Sequence, residues 1–509
     1  MVFTTAFFFF SFLPVSILCY FFIHRLERVC ALAILRKLRL SDWILIVYSI
    51  VFYSWTCFNN ISKLCCYIFI VYLLAFLIWI GKPSVKSLLI VGNNADWQCI
   101  DKNGQHMSHA GKSRMLYILG LLLVLSALFY YKYFNFTIDN LNALFELGMK
   151  DKTILAPLGI SFITFSAISY LTDVFTGKAK PGSLIDCALY ITFFPKVVSG
   201  PIVLWRDFAG GLPKRVISID NCVDGMNRII IGFAKKLILA DMFGLYISEI
   251  ERSGAYGIDC PTAWLSALLY MLQIYYDFAG YSDIAIGLAK ITGFDFKENF
   301  NFPYRSRSIS EFWRRWHISL GTWFKEYVYI PLGGSRVSKN RTLLNLAIVF
   351  ALTGIWHGAN WTYILWGSIN GIMVIIERVA ENKHFYKKTP DVLKWLFSMF
   401  VTLICWELFR FHHIRDFWNW VLIAIGHITY PSVNFTWEYF LDCRLLVLVV
   451  IGILGATVLG RGSVQEFLHK YENSQTYFIV REIMLLALFA ISILCMINST
   501  YSPFIYFQY

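Results

Sequence analysis

The chain has 509 residues, 58% hydrophobic, 18% aromatic and only 15% charged, with a mean hydropathy of +0.58. A soluble protein carries roughly a quarter of its residues as charges, so a water-exposed globule of this size is excluded. The net charge of +13 reads as basic loops held at a membrane surface, with no nucleic acid implied.

A bilayer core about 30 Å thick needs about 20 helical residues to cross it. Only helices and closed barrels satisfy their backbone in lipid, and the alternating segments of a barrel are absent. The chain is therefore expected to be an all-α polytopic membrane protein. Its apolar runs fall at 5–23, 43–57, 64–80, 115–131 and 154–172, then at 226–250, 262–290, 342–356, 361–378, 393–412, 444–460 and 479–497. Met1 to Ile23 lacks a basic n-region and is followed by a basic cluster, so it reads as a retained first span. The stretch Ala188 to Val203 contains Pro195 and Pro201 and is expected to be broken or re-entrant.

Basic residues orient the chain. Arg25, Arg28, Arg36, Lys37 and Arg39 follow the first span, which puts that loop in the cytoplasm and the N-terminus outside. Counting spans onward brings 291–341 to the cytoplasmic side, and that stretch carries its own cluster, including Arg305, Arg314, Arg315 and Lys325. The expected organisation is N-terminal helices over 1–80, a polar cytoplasmic insertion over 81–113, a catalytic core over 114–378 and C-terminal helices over 379–509. In the insertion, His106 and His109 are spaced i,i+3, but no acidic or Cys residue sits at a matching distance, and no metal site is expected. The 12 cysteines are scattered, include no CxxC pair, and read as reduced core residues.

Chemistry concentrates between Tyr270 and Gly371. Asp277, Ser282 and Asp283 lie in an apolar helical run. Intramembrane carboxylates mark functional sites unless they are paired or cap a broken helix, and both readings are open. Ser308 and Glu311 have capping-box spacing. From there Trp313, His317, Leu320 and Phe324 recur on one helical face, so an amphipathic interfacial helix is expected to run to Pro331-Leu-Gly-Gly334. His357 ends an apolar span between Gly354 and Gly358, where the backbone can break or approach a ligand. Moving an acyl group from a thioester to an alcohol needs a base for the hydroxyl proton. A neutral imidazole, with an unperturbed pKa near 6.5, suits that task. No GxSxG, HExxH, P-loop or dinucleotide fingerprint is present.

The set Gln273–Asp283, Asn301-Phe-Pro-Tyr304, Trp313-Arg-Arg-Trp-His317, Trp323-Phe-Lys-Glu-Tyr327, Pro331-Leu-Gly-Gly334 and Trp356-His-Gly358 resembles the membrane-bound O-acyltransferase family. The bacterial alginate O-acetyltransferase branch is the most similar, and Pro157–Phe162, Asp173–Gly177, Ser199-Gly-Pro201 and Phe504–Tyr509 extend the likeness. The resemblance implies a ring of about 11–13 tilted and re-entrant helices around a central tunnel. It also implies His357 as the essential histidine, here the general base, with His317 as the second one. Asp277, Tyr281, Ser282 and Asp283 are the expected tunnel lining on one helix, with Trp316, Lys325, Trp356 and Asn360 from later elements. The implied co-substrate is acetyl-CoA or another acyl thioester, including an acyl carrier protein, with no bound cofactor. The implied partners are an exported serine-hydrolase-like protein and a polysaccharide acceptor outside a bacterial cytoplasmic membrane. D-alanyl transfer to a teichoic acid is the alternative within the enzyme class, a transporter using the acids and histidines is a different class, and a catalytically dead scaffold for a partner enzyme is a third reading. In Trp406-Glu-Leu-Phe-Arg410 an acidic residue departs from the family pattern; Glu407 is expected to pair with Arg410 or contact substrate.

Overall fold

The structure is a computed structural model. It describes residues 3–29, 38–81, 89–90, 99–100, 106–107, 111–253, 257–430, 435–472 and 474–498. The side chains of His106 and His109, residues Arg36 and Lys37, most of the 81–113 insertion and the closing Phe504–Tyr509 lie outside that set. What is described of the insertion includes two-residue strands Leu89–Ile90, Cys99–Ile100 and His106–Met107, paired antiparallel.

Everything else of regular structure among the described residues is helical. The helices used below are α1 (Leu13–Val29), α2 (Leu40–Cys57), α3 (Ile61–Ile80), α4 (Gly111–Leu128), α5 (Ile160–Thr176) and α6 (Leu184–Thr192). They continue with α7 (Trp205–Gly211), α8 (Ile219–Phe233), α9 (Asp241–Ser253), α10 (Cys260–Ile291), α11 (Ile309–Arg315) and α12 (Ile318–Phe324). The last are α13 (Lys339–His357), α14 (Trp361–Ala380), α15 (Asp391–Arg410), α16 (Cys443–Thr457) and α17 (Gln475–Asn498). Among the described residues, seven helical segments are long and apolar enough to cross a membrane. Together with the helical content, they establish the all-α polytopic class.

Three expected elements differ in detail, each for a local reason. The span expected at 154–172 begins only at Ile160, because Pro157 precedes it and Gly159 caps it at φ +68°. A Cβ on Gly159 would lie 2.3 Å from the Val197 carbonyl oxygen, so that turn is pressed against neighbouring backbone. The run expected at 226–250 is two helices, α8 and α9, joined by a π-helical segment Ala234–Ala240. The amphipathic helix expected from Ser308 is broken after Arg315, and its consequences belong to the site below.

The chain folds as two compact units interleaved along the sequence. The first comprises Met1–Cys222, Leu288–Phe296 and Thr322–Val337. The second comprises Val223–Gly287, Lys297–Gly321 and Ser338–Tyr509.

Within the first unit, α6 stops at Thr192 and the backbone runs without helix through Phe193–Leu204, nearly all of it buried. Irregular backbone at membrane depth is tolerated only when protein encloses it. Here side chains supply the hydrogen bonds: Phe194 N donates to Ser49 Oγ (3.1 Å) and Trp205 N to Ser169 Oγ (2.8 Å). Lys196, also in this stretch, donates to Ser166 Oγ at 2.9 Å and lies over the Tyr190 ring. The broken segment anticipated from Pro195 and Pro201 is therefore present.

The first unit also holds a cavity of about 580 Å³ lined by Arg39, Lys178, Lys180, Asp186, Arg206 and Arg215, among others. Its cations are largely committed. Arg39 pairs with Asp42 and Asp186, Arg215 with Asp42, and Lys178 and Arg206 both with Glu326. Burial alone would raise the Glu326 carboxyl, but the Arg206 and Lys178 contacts outweigh it and hold it below the usual carboxylate range. Lys178, after α5, and Arg206, in α7, thus fasten the 322–337 segment, while Arg39 and Arg215 gather around Asp42 at the start of α2.

Candidate active site

In the second unit, α13 and α14 form a hairpin whose backbones almost touch. A Cβ on Gly354 would lie 2.6 Å from the Tyr363 carbonyl oxygen, and one on Gly367 would lie 2.6 Å from that of Phe350. Gly358 is extended, and a Cβ there would strike the Tyr363 ring at 2.3 Å. The glycines around His357 therefore serve helix packing, where the sequence reading had left open a ligand's approach. Asn360 caps α14 by accepting from Thr362 N (3.0 Å) and donates to the His412 carbonyl (2.6 Å).

His357 is the last residue of α13 and is 5% exposed. Its ring sits 4.8 Å from Trp356, 4.9 Å from Trp366 and 5.2 Å from Phe409, all edge-on. Trp356 also faces the His317 ring, at 6.5 Å. The two histidines thus share one aromatic chamber. Its wall continues through Phe278 (4.6 Å from His317), Trp316 (4.7 Å from Trp406) and Trp406 (6.0 Å from Trp366).

His317 reaches this chamber from a break in the chain. Between α11 and α12 it adopts φ +44°, a left-handed conformation uncommon for a residue with a side chain. The break is fastened by main-chain bonds to the preceding segment, Asn301 N to Arg315 O and Ile318 N to Asn299 O, each 2.9 Å. This corrects the expected continuous helix: Trp313 and His317 do not continue one helical face into Leu320. His317 is 1% exposed, its Nδ1 lies 3.1 Å from Asn299 Oδ1, and its Nε2 is buried with no hydrogen-bond partner among the described residues. Burial pushes the imidazole down to about 3, so it is neutral across the physiological range.

Helix α11 is held at its start by two devices. Ser308 Oγ accepts from Glu311 N (2.9 Å), confirming the helix start read from Ser308 and Glu311. Glu377, from α14, accepts from Ile309 N (2.6 Å), Ser310 N (2.8 Å) and Ser310 Oγ (2.9 Å). An anion there satisfies the free N–H groups of a helix N-terminus and complements its dipole. Trp313 Nε1 donates to Asn370 Oδ1 at 3.1 Å. Sequence reasoning missed Glu377, Asn370 and Asn299. The only available signal was a polar residue in an apolar helix, as at Asn370 and Glu377.

The other expected lining residues divide. Ser282 joins the His317 neighbourhood, accepting from Asn299 Nδ2 at 3.0 Å, and Trp316 and Trp356 line the chamber. Tyr281 is buried on the same helix as Ser282. Asp277 pairs with Lys236 (2.7 Å), which also holds Asp241 (2.6 Å), while Asp283 pairs with Arg228 (2.8 Å) and Lys235 (2.6 Å). Of the two readings left open for these carboxylates, the geometry gives the paired one. Lys325 belongs to the first unit and is exposed beside Glu326. Glu407, fully buried, faces Arg410 at 3.4 Å, and Arg410 continues to Glu251 (2.6 Å) and Ser266 (2.8 Å). Among the described residues no three His, Cys, Asp or Glu side chains are placed to hold a metal.

Two buried imidazoles, His317 and His357, thus lie against one shared set of aromatic rings. Comparison with known proteins identifies the reaction class. The profile of the membrane-bound O-acyltransferase family matches residues 120–411. The chain belongs to this family. It is similar to the probable alginate O-acetylase AlgI of Azotobacter vinelandii, with 36% identity over 425 residues, covering 77% of this chain and 84% of the relative. It is also similar to the peptidoglycan O-acetyltransferase of Helicobacter pylori, at 32% over 333 residues, or 60% of this chain and 63% of the relative. A third relative is the teichoic acid D-alanyltransferase of Bacillus subtilis, at 32% over 273 residues, or 50% and 66%. This member of the family is thus an O-acyltransferase, and His317 and His357 both fall within the matched region.

Proposed function

We propose that this acyltransferase moves acetyl from a cytoplasmic thioester, acetyl-CoA, across the membrane for O-acetylation of an exported or cell-surface polysaccharide. The observation that carries the reading is the chamber itself: two histidines share one set of buried aromatic rings, and one of them presents a buried, unbonded nitrogen. His357 is the general base. It takes the proton of the accepting hydroxyl as that oxygen attacks the thioester carbonyl. The new C–O bond forms, the C–S bond breaks, and the proton passes to the departing thiolate, leaving a free thiol and an ester. The aromatic walls exclude water, which would otherwise hydrolyse the acyl group.

The donor is read as cytoplasmic from the basic loops. Two contacts support placing them on one side: Glu326, in the basic 291–341 stretch, pairs with Lys178 after α5 and with Arg206 in α7, both of the same unit. The acceptor is reached on the outer side, through an exported serine-hydrolase-like partner that carries the acetyl group onward. D-alanyl transfer from a carrier protein to a teichoic acid is the second reading, favoured by the D-alanyltransferase relative.

Mass spectrometry of envelope polymers from cells with and without the chain separates the two. We expect ester-linked acetate on a polysaccharide that disappears with the chain. Loss of ester-linked D-alanine from a teichoic acid, with acetate unchanged, would establish the second reading.

A further inference from the structure

The contacts of Asn299 decide which nitrogen of His317 carries the proton. Asn299 is 1% exposed, and four polar atoms converge on its side chain. Ser319 N lies 3.1 Å from Oδ1. A backbone N–H can only donate, so that atom of the amide is the carbonyl oxygen and the other is the NH₂. The NH₂ then donates to Ser282 Oγ at 3.0 Å. Ser319 Oγ lies 2.8 Å from Oδ1 but 3.4 Å from His317 Nδ1, so the hydroxyl hydrogen is directed to the amide oxygen. His317 Nδ1 faces the same oxygen at 3.1 Å. An amide oxygen only accepts, and a bare Nδ1 lone pair at that distance would be repelled by it. Nδ1 must therefore carry hydrogen.

We propose that Asn299, braced by Ser282, is a positioning residue that holds His317 as the Nδ1–H tautomer, so that Nε2 is its proton-accepting nitrogen inside the aromatic chamber. This rests on the acyltransferase reading above and adds a role for Asn299 and Ser282 within it. The main chain reinforces the arrangement, since Ile318 N donates to the Asn299 carbonyl and keeps His317 in its left-handed conformation. Nε2 has no competing partner among the described residues.

A neutral amide in this position has a chemical consequence. It fixes the ring without adding the negative charge that would make the imidazole hold its proton. The charged groups nearby do not supply one either. Asp277 and Asp283 on α10 are paired with Lys236 and with Lys235 and Arg228, Glu298 is paired with Arg228, and Arg315 with Glu311. His357, also titratable, shares Trp356 with His317. With no carboxylate on Nδ1, His317 presents a bare Nε2 as an acceptor without being held as an imidazolium.

The test uses the full-length chain in proteoliposomes, following acetyl transfer from acetyl-CoA as a function of pH. In Asn299→Asp the carboxylate can still accept from Nδ1–H and from Ser319, and the Ser282 hydroxyl can turn to donate. The added charge should raise the His317 pKa. The expected result is a new acid limb in kcat between about pH 5 and 8, with at least about tenfold loss at pH 6. Activity should return towards that of the wild-type chain at higher pH, with KM within about twofold. Asn299→Leu should lower kcat about a hundredfold at every pH, as expected when a ring loses its orienting partner. An Asn299→Asp profile that parallels the wild type overturns the proposal.

A second measurement needs no Asn299 variant. In the ¹⁵N-histidine-labelled chain, the resonance pair that vanishes in His317→Gln should show Nδ1 protonated and Nε2 bare. The opposite tautomer overturns the proposal. If the chain transfers no acyl group at all, the functional reading fails, while this spectrum still reports the tautomer.

Discussion

Replacing His357 by alanine is expected to abolish acyl transfer while the protein still inserts and folds. General base catalysis contributes about 10²–10⁴-fold, and loss of the base should remove at least that much. The His357 ring lies at the end of α13, against Trp356, Trp366 and Phe409. Truncation leaves a small gap among large rings, a loss of about 1–3 kcal/mol in packing that a polytopic bundle can bear. The comparison to make is ester formation per monodisperse, folded protein for the wild type, His357→Ala and His357→Gln. Both variants should be inactive with unfolding temperatures close to the parent. Substantial transfer by either one would remove His357 from the chemistry.

The second large effect concerns stability. Lys236 lies in the π-helical segment Ala234–Ala240 and holds two carboxylates, Asp241 on α9 and Asp277 on α10, and all three are almost fully buried. The wider π register lets consecutive lysines reach the same long helix, Lys236 to Asp277 and Lys235 to Asp283. The backbones are close here because both crossing residues are glycine: a Cβ on Gly280 would lie 2.7 Å from the Gly232 carbonyl oxygen. Removing the ammonium strands two buried negative charges, and breaking a buried pair typically costs about 3–5 kcal/mol. Lys236→Ala should therefore show a markedly lower unfolding temperature and a poor yield of monodisperse protein. Adding Asp241→Asn and Asp277→Asn to Lys236→Met should recover much of the loss, because no uncompensated charge is then left. An Lys236→Ala variant as stable as the parent would show that the three groups are not one buried network.

These two cases also show what the sequence made legible. Membrane residence followed from composition, and the helix starts at Ser308 and the break around Pro195 and Pro201 followed from local chemistry that acts within a few residues. His357 stood out because a lone polar group ends a long apolar run. The partners of Asp277 and Asp283 were not legible: Lys236 lies 41 residues before Asp277 and Lys235 lies 48 before Asp283, and a π insertion rather than α-helical spacing brings them into register. The kink at His317 was hidden for a related reason. Its residues repeat at helical spacing, and the left-handed turn is imposed by Asn299 and Asn301 from outside the helix. Gly354 and Gly358 showed that backbones come close without showing to what. The answer, Tyr363 and Gly367 on the next helix, is a tertiary fact.

The proposal makes one demand on the chemistry: the thioester and the accepting hydroxyl must meet beside His357, in the aromatic surroundings it shares with His317. The most direct test follows free thiol released from acetyl-CoA by the purified chain in proteoliposomes, with a polysaccharide acceptor and, in a parallel arm, the exported partner. Thiol release matched by alkali-labile acetate on the acceptor, and absent without the chain, is the predicted result. No thiol release in either arm, with folded protein and intact vesicles, would contradict it.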